Sequence, residues 1–90
     1  MSTHSQEVEI INPLGVHARP SAKLTQVATR FKSEVWLSKG TRKVNAKSIM
    51  GVMMLAAAKG AKLNIQADGD DAPEAVAALV NLIADGFGEL

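Results

Sequence analysis

Asn12-Pro13-Leu14-Gly15-Val16-His17-Ala18-Arg19-Pro20 joins an apolar strand-like run to a helix-like one, with a lone histidine at the joint. Asn-Pro and the nearby glycine are turn punctuation, so Val16-His17 belongs to a loop rather than to a strand interior. Pro20 is barred from the middle of a helix but fits its first turn, where no backbone N–H has an intrahelical partner to lose. His17 is then the N-cap, and Ala18, Arg19 and Pro20 are the first helical positions. A ring placed there sits beside unpaired N–H groups and the positive end of a helix dipole. Such a place suits an anion, phosphate above all. Arg19, two residues on, can reach the same anion with a fork of donors. The plainer alternative is a tolerated histidine cap beside a solvated arginine.

Working outward, residues 6–11 set Val8 and Ile10 on one face and Glu7 and Glu9 on the other, which predicts a half-buried strand. Residues 18–31 carry Leu24, Val27, Ala28 and Phe31 at helical spacing. Two short strand-like runs, 34–38 and 42–46, flank Lys39-Gly40-Thr41 and read as a hairpin. Trp36 within it is either packing or a recognition residue. Ser48 is a favoured cap for a short helix to about residue 55. Val52, Leu55 and Ala56 form its inner stripe, while Ile49, Met50 and Met53 make a second apolar face. That face is either buried or an exposed sticky patch, and methionines suit a surface that must fit more than one partner. Gly60 is expected to end this helix.

Residues 62–68 alternate Leu63, Ile65 and Ala67 with polar neighbours, a clean strand before the turn at Gly69. Asp71 with Glu74 three residues on predicts a capping box, and Pro73 fits the first turn. Val76, Leu79, Val80, Ile83 and Phe87 stripe the last helix, whose end should fray at Gly86 and Gly88. The order strand–helix–strand–strand–helix–strand–helix implies an α+β two-layer fold.

Ninety residues that are 47% hydrophobic and 21% charged make one small globular domain rather than a disordered chain. The absence of cysteine excludes a disulfide scaffold and cysteine-based zinc or redox sites. Two histidines without clustered partners argue against a metal. The polar opening residues show no signal peptide, and the longest apolar run, 49–58, is half of a membrane span. A cytoplasmic protein without membrane insertion is expected. The net charge of +1 hides an asymmetry: all ten basic residues lie between Arg19 and Lys62, with Glu34 the only acid among them. A basic middle suggests an acidic or phosphorylated partner, unless it is a solvated charge distribution with none. Nucleic acid is a poor candidate, since three aromatics form no stacking strand and no KH-like loop is present.

N-P-L-G-V-H-A-R-P-S resembles the active-site motif of the HPr family, the histidine-containing phosphocarriers of the bacterial phosphotransferase system. Lys47-Ser48-Ile49-Met50-Gly51-Val52-Met53 resembles that family's second motif at the expected distance, and the similarity spans nearly all of the chain. The resemblance implies an open-faced sandwich: a four-stranded antiparallel sheet with three helices on one face. It implies one HPr-like domain over residues 1–90, with residues 1–5 poorly ordered, and a monomer. Phosphoryl transfer asks the protein mainly for positioning and charge stabilisation, and a neutral imidazole, of unperturbed pKa about 6.5, is a fit acceptor.

By the same resemblance, His17 Nδ1 takes phosphate from enzyme I and passes it to an enzyme IIA, in sugar uptake or a regulatory phosphorelay. No metal or cofactor is implied, and the protein is a carrier rather than an independent catalyst. Arg19 would neutralise phosphate charge, and the Ala18 and Arg19 amides would cradle it. Ile49, Met50 and Met53 would dock partners, with Lys23 and Lys47 as steering charges. Ser48 matches a serine modified by HPr kinase/phosphorylase in many relatives, or is a plain cap. The sugar-transport branch and the nitrogen-related paralogue NPr both stay open. The competing reading is an adaptor that docks partners through the Ile49/Met50/Met53 patch and never carries phosphate.

Overall fold

In the computed structural model, which describes residues 2–89, strand β1 runs Ser2–Glu9. It starts earlier than hydrophobic alternation suggests. Residues 3–7 are exposed, and what orders them is a backbone ladder to the central strand β4 (Lys62–Gly69), from Ser2↔Gly69 to Glu9↔Lys62. Residues 2–5, expected to be poorly ordered, are placed in this strand by backbone pairing rather than by apolar residues; Met1 lies outside the described residues. Ile10, read as part of the strand, is buried just beyond it.

β4 carries the predicted alternation, with Leu63, Ile65 and Ala67 buried. It also pairs antiparallel with β2 (Glu34–Lys39), which turns at Gly40 into β3 (Arg42–Asn45). The sheet order is β1-β4-β2-β3. Trp36 is half-buried, with Lys43 Nζ 5.2 Å from its ring centre.

Three helices complete an α+β open-faced sandwich: α1 (Ala18–Ala28), α2 (Ile49–Met54) and α3 (Ala72–Ala84). α3 packs across β1, β4 and β2, while α1 contacts both α2 and α3. Leu24, Val35, Leu37, Val52, Leu79, Ile83 and Phe87 are core residues. No helix among the described residues is long and apolar enough to cross a membrane.

Four local expectations change. α1 stops at Ala28, and Phe31 follows it as a half-buried loop residue. In α2 the inner stripe is Val52 and Leu55 only. Ala56 lies past the helix end, exposed, with φ +50°, so an alanine takes the left-handed position expected of Gly60. Gly60 instead leads into β4, its N–H donating to the Ile10 carbonyl at 2.7 Å. Asp71 makes no cap bond within α3; its carboxylate accepts from the Lys32 N–H at 2.8 Å, the Ser33 N–H at 2.9 Å and the Ser33 hydroxyl. A carboxylate offered three donors from a neighbouring loop has no reason to turn back on its own helix. Finally, Gly86 and Gly88 do not fray. They bracket a 3₁₀ turn (Gly86–Gly88) that buries Phe87 and aims the next residue back across the molecule.

Candidate functional site

His17 is the N-cap of α1, in extended conformation, and its side chain makes no cap hydrogen bond. The loop before it is held from two sides. Val16 N–H donates to the Ala57 carbonyl at 2.8 Å, and Gly15 takes φ +68° where a Cβ would lie 2.5 Å from that same oxygen. Only glycine allows this approach. The Ser21 hydroxyl donates to the His17 carbonyl at 2.7 Å, tying the loop into the first turn.

The ring is fixed by a residue from the other end of the chain. His17 Nε2 lies 3.0 Å from Glu89 Oε2, with the two side chains 36% and 16% exposed. An ionised carboxylate only accepts, so Nε2 carries a proton, and in the neutral ring Nδ1 is the nitrogen with the free lone pair. Nδ1 has no hydrogen-bond partner among the described residues. Buried Asn12 orients the carboxylate in turn: its Nδ2 donates to Glu89 Oε1 at 3.0 Å and to the Gly15 carbonyl at 2.7 Å.

Arg19 is exposed and forms no ion pair among the described residues. With Pro13, Leu14, Lys23, Gly88 and Glu89 it lines a groove of about 420 Å³. Ala18 and Arg19 are the two first-turn residues that still offer a backbone N–H, since Pro20 has none. Lys23 reaches the same groove, its Nζ donating to the Phe87 carbonyl at 2.7 Å and so pinning the segment that carries Glu89. The start of α1 thus holds the His17 ring, whose Nδ1 has no partner among the described residues, together with the exposed Arg19 and the Ala18 and Arg19 N–H groups, a setting that suits an anion.

The second motif forms α2. Ser48 caps it, its Oγ accepting from the Gly51 N–H at 3.0 Å. Ile49, Met50 and Met53 are exposed, so the second apolar face is not core. Lys47 is half-buried, with Nζ donating to the Phe31 carbonyl at 2.8 Å.

The family described as "PTS HPr component phosphorylation site" matches residues 4–85. The chain belongs to the HPr family. The phosphocarrier protein HPr of Neisseria meningitidis serogroup A is 58% identical over 84 residues, covering 93% of this chain and 94% of that protein. That of Cupriavidus necator is 56% identical over the same length and shares. Among solved structures, HPr of Thermoanaerobacter tengcongensis superposes with a TM-score of 0.93 at 47% identity, covering 97% of this chain and 98% of that one. Both HPr-like motifs thus sit on an HPr-like scaffold, and the phosphotransferase-system phosphocarrier class follows from the family.

Two residues of the hydrogen-bonded cluster around His17 escaped sequence reading. Asn12 was legible only as a turn residue, since its role depends on being buried. Glu89 was invisible because 72 residues separate it from His17. The Gly-Phe-Gly that precedes it was the available signal: two glycines around an aromatic mark a turn about an anchor as well as a frayed end.

Proposed function

We propose that the protein accepts a phosphoryl group on His17 Nδ1 from phosphorylated enzyme I and passes it to an enzyme IIA, in sugar uptake or a regulatory phosphorelay. The observation that carries this reading is the 3.0 Å contact between His17 Nε2 and Glu89, which leaves Nδ1 as the nucleophile. In the transfer, the new Nδ1–P bond forms as the donor's bond to phosphorus breaks. The ring keeps its Nε2 proton, so it gains positive charge, and Glu89 lies where that charge develops. Arg19 and the Ala18 and Arg19 amides face the phosphoryl oxygens, whose charge dominates a loose transition state. His17 stays accessible enough for the group to leave again.

Ile49, Met50 and Met53 dock the partners, and Lys23 and Lys47 contribute positive charge beside that face. Ser48 is a regulatory site in the same reading. A phosphate there sits at a helix N-terminus, which tolerates it locally, while adding negative charge to the docking face. HPr kinase/phosphorylase is the modifying partner.

The test is intact mass after incubation with phosphoenolpyruvate, magnesium and a bacterial enzyme I, beside His17→Ala. One acid-labile phosphate on the protein and none on the variant is the expected result. Absence of uptake with several enzyme I proteins overturns the carrier reading and favours the adaptor, which keeps its partner complex when His17 is replaced.

A further inference from the structure

Every methionine among the described residues lies on one six-residue helix. The chain has four methionines, and those at 50, 53 and 54 are 69%, 40% and 62% exposed. The core holds none; its large side chains are Ile, Leu, Val and Phe. The thioethers are therefore not gap-fillers. They are exposed on a face where the flexibility that suits a surface meeting several partners comes with a reactivity that aliphatic residues lack.

We infer that Met50, Met53 and Met54 form a reversible oxidation site that responds to a peroxide and weakens docking to enzyme I. The inference rests on the docking role proposed above. Each thioether sulfur gives up two electrons and takes one peroxide oxygen; the O–O bond breaks, and the other oxygen leaves as water. The product is a sulfoxide, polar and chiral, which sulfoxide reductases return to the thioether, one enzyme per epimer.

The fold is insulated from this change. α2 buries Val52 alone, and its ends are held through backbone groups. Ser48 Oγ accepts from the Gly51 N–H, Arg42 Nη1 donates to the Met54 carbonyl at 2.6 Å, and Lys39 Nζ donates to the Leu55 and Ala56 carbonyls at 3.1 and 3.3 Å. None of these involves a thioether. Docking is not insulated. A sulfoxide oxygen pressed against an apolar partner surface loses its water without gaining a donor, and the neighbouring Ile49 offers none.

The test compares untreated protein with peroxide-treated protein in which peptide mass shows one added oxygen on each of Met50, Met53 and Met54. The acceptor kinetics with enzyme I are measured for both. Oxidation is expected to raise KM roughly tenfold, with kcat and the thermal midpoint unchanged, and the two reductases should restore KM. A KM that does not move in fully oxidised protein overturns the switch. M50L/M53L/M54L supplies the control: whatever its starting KM, peroxide should leave it unmoved, and a wild-type-sized rise there also overturns the assignment. Uptake by the untreated protein reads the carrier function separately, so its absence is recognisable as failure of that reading, with this one falling alongside.

Discussion

At His17 the two ring nitrogens are given different tasks by one carboxylate. Glu89 accepts a hydrogen bond from Nε2–H at 3.0 Å, and in the proposed transfer the charge that develops on the ring falls on that contact. Glu89→Gln keeps an acceptor oxygen and removes the counter-charge. It should lower kcat for phosphoryl uptake by about tenfold, with KM little changed, since a hydrogen bond to a charged group contributes about 1.5–3 kcal/mol. Rapid-quench measurement of uptake from enzyme I checks this; an unchanged kcat would mean Glu89 only packs. Gly15 makes the neighbouring case on backbone grounds. Gly15→Ala forces a side chain into a left-handed position, at about 1–2 kcal/mol, and drives its Cβ against the Ala57 oxygen. A lower midpoint in denaturant and slower phosphate uptake should appear together, because the same contact sets His17. His17 and Arg19 were legible at this scale, since Pro20 marks the helix start and hence the cap. Glu89 was not, because a contact between chain ends leaves no local pattern.

Among the elements, α2 and the start of α3 show how far caps can be read from sequence. Ser48 caps α2 as its position before an apolar run suggested. Ser48→Ala should cost about 1 kcal/mol of stability, measured as a shift in denaturant midpoint with unchanged slope. Asp71 was equally well placed to cap α3 and does something else, because the Lys32-Ser33 turn offers it better donors. Chain order cannot reveal that this turn folds against the start of α3. The consequence is a dependence on pH. The Ser33 hydroxyl first, and the Lys32 backbone N–H next, hold the Asp71 carboxyl below the ordinary carboxylate range. A carboxyl depressed on folding contributes stability above its unfolded value, about 3.9, and loses it as pH falls through the folded value. Asp71→Asn should therefore lower the thermal midpoint at neutral pH. The gap from wild type should hold down to about pH 4 and close below it. A gap independent of pH down to strong acid would show that Asp71 matters only as a polar side chain. β1 was half legible for a related reason: Val8 announced it, but its polar first half is held by the ladder to β4.

Across the whole molecule, charge is segregated along the chain rather than paired. The ten basic residues fall on α1, the β2–β3 hairpin, the turns that follow α1 and flank α2, and the first residue of β4, and eight of the nine acids lie in the two ends of the chain. Among the described residues, His17–Glu89 is the one contact of ion-pair geometry. Lys23, Lys39, Arg42 and Lys47 donate to backbone carbonyls instead. A carbonyl satisfies a donor without cancelling its charge, so the field around the site survives the packing that positions it. Fields of this kind act on encounter more than on the bound state, raising association rates by about 10- to 1,000-fold where the partner is of opposite sign. Raising salt from about 0.1 M to about 1 M shortens the Debye length from about 10 Å to about 3 Å. Over that range kcat/KM for uptake from enzyme I should fall about tenfold, while kcat, set at the Nδ1–P exchange, stays level. Steady-state kinetics at fixed pH separate the two. If kcat/KM does not respond to salt, the apolar α2 face does the recruiting, and the basic residues serve only to seat the phosphate and hold the helix ends.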